Sequence, residues 1–321
     1  MKNKKILFRA DSSSTIGTGH IMRDLVLAKQ YPDSEIFFAT QDLEGNLNSN
    51  IIESGYEVKK LSSNSIEELV TMVKNLEIDM VIIDHYVVDY KFEKELKERT
   101  DVKLIVLDDT YEKHFCDVLL NHNINADKNQ YKGLVPSSSE LRCGIQYTLL
   151  RDEFLNLNIQ NKKIEKKDRL RVFLAMGGAD SKNMNISILE EIKKLNLNIE
   201  LVTTRANKNL SVLQEYIHNK ENITLHIDSK NIADIIKGCD IAIVTPSVMV
   251  NEIIFFKIPF ISIMVTDNQK YMYAFLKKKA FPCLKKEEIS YLNNKVTSLY
   301  DVKSYDKQVE TITNLISKRI I

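Results

Sequence analysis

Short apolar, β-prone runs alternate with helical stretches along this chain, and the alternation starts twice. The first start is Ile6-Leu7-Phe8, which breaks into a Ser-rich loop and then Gly17-Thr18-Gly19. His20 opens the helix that follows, with Ile21, Leu25 and Ala28 at helical spacing. The second start is Arg171-Val172-Phe173-Leu174-Ala175-Met176, followed by Gly177-Gly178 and a helix after Asp180-Ser181. A strand, a glycine turn and a helix N-terminus form the anion-facing corner of an α/β sheet. The chain has 321 residues, enough for two domains that each bury a core. The pattern therefore predicts an α/β protein of two doubly wound, Rossmann-like domains facing each other across a cleft.

Between the two starts, Glu35–Ala39 reads as a strand, and a helix follows that stops at Gly55. Ser65, with Glu67 and Glu68 behind it, starts a helix through Leu76, because acidic residues suit the first helical turn. Met80-Val81-Ile82-Ile83 is a continuous apolar run, as expected of a central parallel strand, and ends in Asp84-His85-Tyr86. A charged helix over Asp89–Arg99 leads to Leu104–Leu107, closed by Asp108-Asp109, and Val118–Leu120 is closed by Asn121-His122-Asn123. Polar residues thus gather just after strand ends, where open parallel sheets bind ligands. In the second half, strands are expected at Glu200–Thr203, Ile223–His226, Ile241–Val244 and Phe260–Met264. Helices are expected at Leu210–Asn219, Asn231–Lys237 and Ser247–Phe256, and from Gln269 onward. The lysine-rich stretch Asn156–Arg169 has little periodicity and reads as the linker, which sets the domains at 1–160 and 168–321. A last helix over Tyr305–Arg319 carries Val309, Ile312, Leu315 and Ile316 on one face.

Charge narrows the partners. With 45 basic and 44 acidic residues the net charge is +1, which gives no reason to expect nucleic acid or an anionic membrane. The most apolar late stretch, Ile253–Val265, is short and interrupted by Lys257 and Pro259, so no membrane span is expected. No signal segment is visible, and the four cysteines show no CxxC spacing. Reduced thiols in a cytoplasmic protein are the expectation.

Several motifs invite chemistry. Gly17-Thr18-Gly19-His20-Ile21-Met22 keeps only the first two glycines of GxGxxG after too long a loop, which argues against a dinucleotide. Gly177-Gly178-Ala179-Asp180 could let backbone N–H groups approach a phosphate, or could be an ordinary turn. In Thr245-Pro246-Ser247-Val248-Met249-Val250-Asn251-Glu252, Ser247 could offer its hydroxyl and N–H to an anion or cap the helix. Glu252 could accept a pair of ribose hydroxyls or face solvent. His20 could perform chemistry or cap its helix. His85 could face a ligand or fill the core, and His114 and His122 have no metal-ligand spacing. Asp108-Asp109 could hold Mg²⁺ but more often such a pair bonds loop backbone, and no metal site is expected.

Taken in order, the stretches FRADSSSTIGTGHIMRDLVLAKQY, VIIDHY, LDDT, CDVLLNHN, YKGLVP, RCGIQYTLLRDEF, MGGAD, SVMVNE and VTDNQ resemble one family, the UDP-2,4-diacetamido-2,4,6-trideoxy-β-L-altropyranose hydrolases of the pseudaminic acid pathway. That family groups with glycosyltransferase-B (GT-B) folds and is similar to the undecaprenyl-muramoyl-pentapeptide N-acetylglucosaminyltransferases. The resemblance runs from residue 8 to about residue 280, and the tail beyond Tyr291 is longer than the family usually carries. It implies inverting hydrolysis of a UDP-sugar at its anomeric carbon, with no cofactor and no metal. His20, Tyr86 and Asn268 would be catalytic, and Gly19, Gly177, Gly178, Ser247, Val248, Asn251 and Glu252 would hold the substrate and UDP. Pro246 departs from the small residue expected there. A histidine at a helix N-terminus is expected to be neutral and able to accept a proton, because the helix dipole disfavours imidazolium. The alternative is a GT-B glycosyltransferase, which would need an apolar, basic acceptor-facing patch that the sequence does not show. A monomer is expected.

Overall fold

A computed structural model of the chain describes residues 3–155 and 169–316. It divides into two compact units, Met1–Leu149 and Leu150–Ile321. The linker expected at Asn156–Arg169 lies, apart from Arg169, outside the described residues.

The first unit runs β1 (Lys4–Ala10), α1 (Gly19–Ala28), β2 (Ser34–Gln41), α2 (Asn48–Glu53), β3 (Glu57–Leu61) and α3 (Ile66–Leu76). It continues through β4 (Met80–Asp84), α4 (Tyr90–Thr100), β5 (Lys103–Leu107), β6 (Val118–Asn121) and β7 (Glu140–Cys143). The strands form one parallel sheet in the order β3-β2-β1-β4-β5-β6-β7. The chain walks outward from β1 to β3, then returns to β4 beside β1, which is the doubly wound pattern. Residues alternate across β1: Ile6 and Phe8 pack with Ile21 and Leu25 of α1, and Leu7 packs on the other face with Val70, Val73 and Leu96. Phe8 stacks on Phe38 with ring centroids 4.9 Å apart, in register with it across the ladder. Each such buried side chain contributes roughly 1.5–3 kcal/mol. The caps follow the sequence: Ser65 accepts from Glu67 N (3.2 Å) and Asp89 from Lys91 N and Phe92 N.

The second unit opens on a short α5 (Asp152–Leu155), then β8 (Leu170–Ala175), α6 (Met184–Ile192), β9 (Leu197–Thr203), α7 (Leu210–Ile217), β10 (Ile223–Ile227) and α8 (Ile232–Gly238). It closes with β11 (Ile241–Val244), α9 (Val248–Phe255), β12 (Phe260–Met264), α10 (Lys270–Lys278), β13 (Cys283–Lys285), α11 (Leu292–Ser298) and α12 (Val302–Ile316). Its parallel sheet has the order β10-β9-β8-β11-β12-β13, the same winding a second time. On α12, Ile312 and Leu315 are buried and Val309 packs against the core. The side chain of Ile316 and the helix expected beyond it lie outside the described residues.

Three strands have no counterpart in the sequence reading: β3, β7 and β13. All three are sheet edges, and Glu57-Val58-Lys59-Lys60 and Glu140-Leu141-Arg142 carry the charges by which edges avoid further pairing. The winding leaves a switch point beyond the carboxyl ends of β1 and β4 in one unit, and of β8 and β11 in the other.

Candidate active site

At the first unit's switch point the loop after β1 is built by its own serines. Ser13 and Gly17 bond to each other through both backbone groups, and Gly17 closes this small hairpin at φ +93°, where a side chain would be strained. Ser13 Oγ accepts from Ile16 N, and Ser12 Oγ from Leu47 N, both at 2.9 Å. The loop delivers Gly19, exposed and with open space around its Cα, as the first residue of α1. His20 follows and is buried at 7 % exposure.

The imidazole meets a carboxylate. His20 Nδ1 lies 2.7 Å from Asp84 Oδ1, and Asp84 ends β4, directly opposite Ala10 at the end of β1. Arg23, one turn along α1 from His20, grips both oxygens of Asp84 from Nε and Nη2, each at 2.5 Å. Burial alone would push the Asp84 carboxyl up. The Arg23 guanidinium and His20 more than reverse that and hold it well below the usual carboxylate range. An ionised Asp84 only accepts hydrogen bonds, so Nδ1 carries the ring proton of neutral His20 and Nε2 keeps the lone pair. The sequence reading took the helix end as what conditions the ring. The structure adds a direct partner, Asp84, and the Thr18 N-cap makes no side-chain cap bond.

Tyr86 joins the same group. Its ring meets His20 edge-on at 79°, centroids 4.7 Å apart, and its hydroxyl donates to Asp109 Oδ1 at 2.9 Å. Asp109 Oδ2 in turn accepts from Arg23 Nη1 at 3.0 Å. Tyr86 is 49 % exposed while His20, Arg23 and Asp84 are buried, so the tyrosine marks the solvent side of the cluster. Asp108, the other member of the pair, bonds its own loop at Thr110 N and Tyr111 N, and takes the Tyr131 hydroxyl at 2.7 Å. His85 turns to Asp11, its Nε2 3.0 Å from Asp11 Oδ2, and Asp11 is held well below the usual range by His85 and Arg9 against the cost of burial. Among the described residues no three His, Cys, Asp or Glu side chains come together as a metal site.

The remaining residues singled out in the sequence lie in the second unit. Gly177 adopts φ +85°, and the Gly178 carbonyl is pinned by Thr204 N, Thr204 Oγ1 and Thr203 Oγ1. Asp180 closes this turn by accepting from Met184 N and Asn185 N at the start of α6. After β11, Ser247 is the N-cap of α9 without a side-chain cap bond. Its N–H goes to Thr245 O at 2.9 Å and its hydroxyl lies 3.0 Å from Thr245 Oγ1, so neither is spent on the helix. Val248 begins α9, and Asn251 and Glu252 are buried within it. Glu252 does not face solvent: both oxygens bond Arg151, to Nε at 2.8 Å and Nη2 at 2.9 Å. Asn268 sits in the turn before α10 and accepts from Thr266 Oγ1 at 2.6 Å. The structure thus brings His20 and Tyr86 together, gathers Gly177, Gly178, Ser247 and Val248 at the ends of adjacent strands, and places Asn268 in the turn after β12.

Arg23, Asp84 and Arg151 were not singled out as site residues in the sequence, and Asp109 only with Asp108, as a pair that could hold Mg²⁺ or bond loop backbone. A signal existed for two of them: Asp84 ends a strand buried on both faces, and Arg23 lies three residues beyond His20 on a buried helix face.

The two doubly wound units define a GT-B fold. Acinetobacter baumannii MurG superposes with a TM-score of 0.64 over 98% of this chain and 95% of that one, at 14% identity. Anabaena Alr3699/HepE, in complex with UDP and glucose, gives 0.61 over 99% and 95%, at 10% identity. In sequence, the chain is 42% identical over 277 residues to the UDP-2,4-diacetamido-2,4,6-trideoxy-beta-L-altropyranose hydrolase of Campylobacter jejuni subsp. jejuni serotype O:2, covering 86% of this chain and 97% of that protein. The chain belongs to this family of nucleotide-sugar hydrolases. No protein-family model matches it.

Proposed function

We propose that the protein hydrolyses a UDP-linked 2,4-diacetamido-2,4,6-trideoxy-L-altrose at the anomeric carbon, releasing UDP and the free sugar for pseudaminic acid synthesis. The observation that carries this reading is the His20–Asp84 pair at a switch point, with Tyr86 on its open side. The substrate is taken from what the Campylobacter relative is named for.

Loss of UDP needs little help. A glycosidase requires a second carboxyl group to protonate a poor leaving alcohol, whereas a nucleoside diphosphate departs as a stable anion. One base then suffices. Nε2 of His20 takes a proton from water as the oxygen attacks C1, the bond from C1 to the diphosphate oxygen breaks, and the anomeric centre inverts. Asp84 keeps the proton on Nδ1 and stabilises the imidazolium that forms. Tyr86 and Asn268 orient the sugar or the water. In this reading the first unit binds the sugar, and the second holds UDP at Gly177, Gly178, Ser247, Val248, Asn251 and Glu252, with Gly19 contributing from the first. Glu252 is kept as a fixed acceptor by Arg151, and each of its oxygens retains a lone pair for a ribose hydroxyl. The protein acts in the cytoplasm, in keeping with its free cysteines, and as a monomer by default.

The test is turnover of the UDP-sugar in ¹⁸O-water. Label at C1 of the product, with inversion, is the expected result. Label on phosphate overturns C–O cleavage, and turnover only on adding an organic acceptor favours a GT-B glycosyltransferase instead.

A further inference from the structure

Behind His20 lies a carboxyl group that the reading above does not use. Asp24 stands one helical turn beyond His20 on the same face of α1. It is fully buried, at 0 % exposure, and neither of its oxygens finds a hydrogen-bond donor. Asp84 is the carboxylate whose charge acts on it, and the group to which a proton on Asp24 would be offered. Two ionised carboxylates cannot bond each other, because both only accept. The charged and titratable groups around the pair are His20 and Arg23 on α1, Asp84 at the end of β4, Asp109 after β5 and His122 after β6. The Arg23 hydrogen bonds go to Asp84 and Asp109, and none reaches the Asp24 oxygens. His122 offers no charge, since burial and then Arg23 push its imidazole down to about 3.

Asp84 is the member of the pair that carries the charge, since it receives Arg23 twice and His20 once. The two carboxyls can bond in one way only, with the proton on Asp24. Burial and the neighbouring Asp84 charge both push Asp24 well above the usual carboxylate range, in agreement with that assignment.

We propose that Asp24 is a positioning residue of the hydrolytic site, a neutral carboxylic acid whose O–H donates to Asp84 and so limits how strongly Asp84 holds a proton on His20. The kinetic half of this inference rests on the reading of His20 as the base. Asp84 shares its lone pairs among Arg23, His20 and Asp24. Without the Asp24 donor it becomes a stronger acceptor toward Nδ1–H, and the imidazolium persists to higher pH.

Two measurements on the full-length protein test this. Asp24→Asn keeps a donor against Asp84, and Asp24→Ala removes it. The acid limb of kcat against pH should move up by about one unit in Asp24→Ala and stay with the wild type in Asp24→Asn. A merely structural Asp24 would lower kcat at all pH values without moving the limb, and coincident limbs in all three proteins overturn the proposal. The second readout is the infrared difference spectrum of wild type minus Asp24→Asn at pH 7. A carboxylic-acid C=O band is expected, and a carboxylate band in its place overturns the proposal even where Asp24→Ala fails to fold. This band does not depend on catalysis, so activity surviving in a His20 variant would sink the base assignment while leaving the protonated Asp24 intact.

Discussion

Asp84 holds His20 by Nδ1 at 2.7 Å while Arg23 holds Asp84 by both oxygens. The carboxylate therefore decides which ring nitrogen is left to meet water. In Asp84→Asn an amide N–H faces Nδ1, which favours the tautomer with its proton on Nε2. Turnover should fall by roughly 10³–10⁴-fold, the scale of losing the correct imidazole tautomer. His20→Asn should abolish turnover to a similar extent. UDP affinity, read by calorimetry on both variants, should stay within a few-fold of wild type. Loss of UDP binding in His20→Asn would place the histidine in nucleotide binding instead.

Tyr86 makes two separable contributions. Its ring packs edge-on against His20, and its hydroxyl reaches Asp109, which also bonds Arg23. Tyr86→Phe keeps the ring and deletes one hydrogen bond at a half-exposed site, a cost of about 1 kcal/mol. Tyr86→Ala removes the ring as well and frees His20 to change rotamer. Turnover should drop about ten-fold in the first variant and at least a hundred-fold in the second, of the order of general-base catalysis as a whole. Equal activities in the two variants would show that the ring does not position His20.

Much of this arrangement was legible in the sequence, and the limits have physical causes. The central strands and the loops after them announced themselves, because buried parallel strands are continuous apolar runs and ligand loops follow their ends. His20 and Tyr86 could be singled out on that basis. Asp84 could not be assigned to His20, since 64 residues separate them and only the parallel pairing of β1 with β4 brings them together. The edge strand Glu57–Leu61 was invisible because its residues are only half-buried and charged. Glu252 was read as facing ribose or solvent, and a third state, bonded to Arg151, is set by the residue just before α5 meeting α9 across 101 residues of sequence.

His114 makes the first unit sensitive to alkaline pH. It is buried at 6 % exposure, its Nδ1 is 2.7 Å from Glu93 Oε1, and Asp108 lies 3.7 Å from its Nε2. Burial alone would lower its pKa, but the Asp108 and Glu93 carboxylates raise it from 6.5 to about 9. The native state thus binds this proton more tightly than the unfolded chain does. The resulting stabilisation, on the order of 3 kcal/mol, is complete below pH 6.5 and is lost as pH rises toward 9. Urea midpoints of the wild type should fall across that window. His114→Gln should be less stable at pH 6 and much flatter between pH 6.5 and 9. A wild-type midpoint that does not change over the window would mean that His114 is not protonated in the native protein.

Arg151 and Glu252 form the corresponding pair in the second unit, bidentate, with Glu252 buried and Arg151 half-buried, also bonding Glu153 and lying over the Phe154 ring. Burial pushes the Glu252 carboxyl up, and Arg151 is the group that opposes it. Arg151→Met leaves that carboxylate buried without its cation, a loss of about 3–5 kcal/mol where it stays ionised. The sign with pH follows from the raised carboxyl. Once unpaired, Glu252 binds its proton more tightly folded than unfolded, so the variant is least destabilised near pH 5 and loses stability as pH rises toward 8. Arg151→Met/Glu252→Gln should recover most of the loss at pH 8 and abolish this pH dependence, because no buried charge remains. Urea unfolding of the three proteins at pH 5 and pH 8 measures it. An Arg151→Met variant equally destabilised at both pH values would mean that the arginine stabilises the unit by packing on Phe154 and not by holding Glu252.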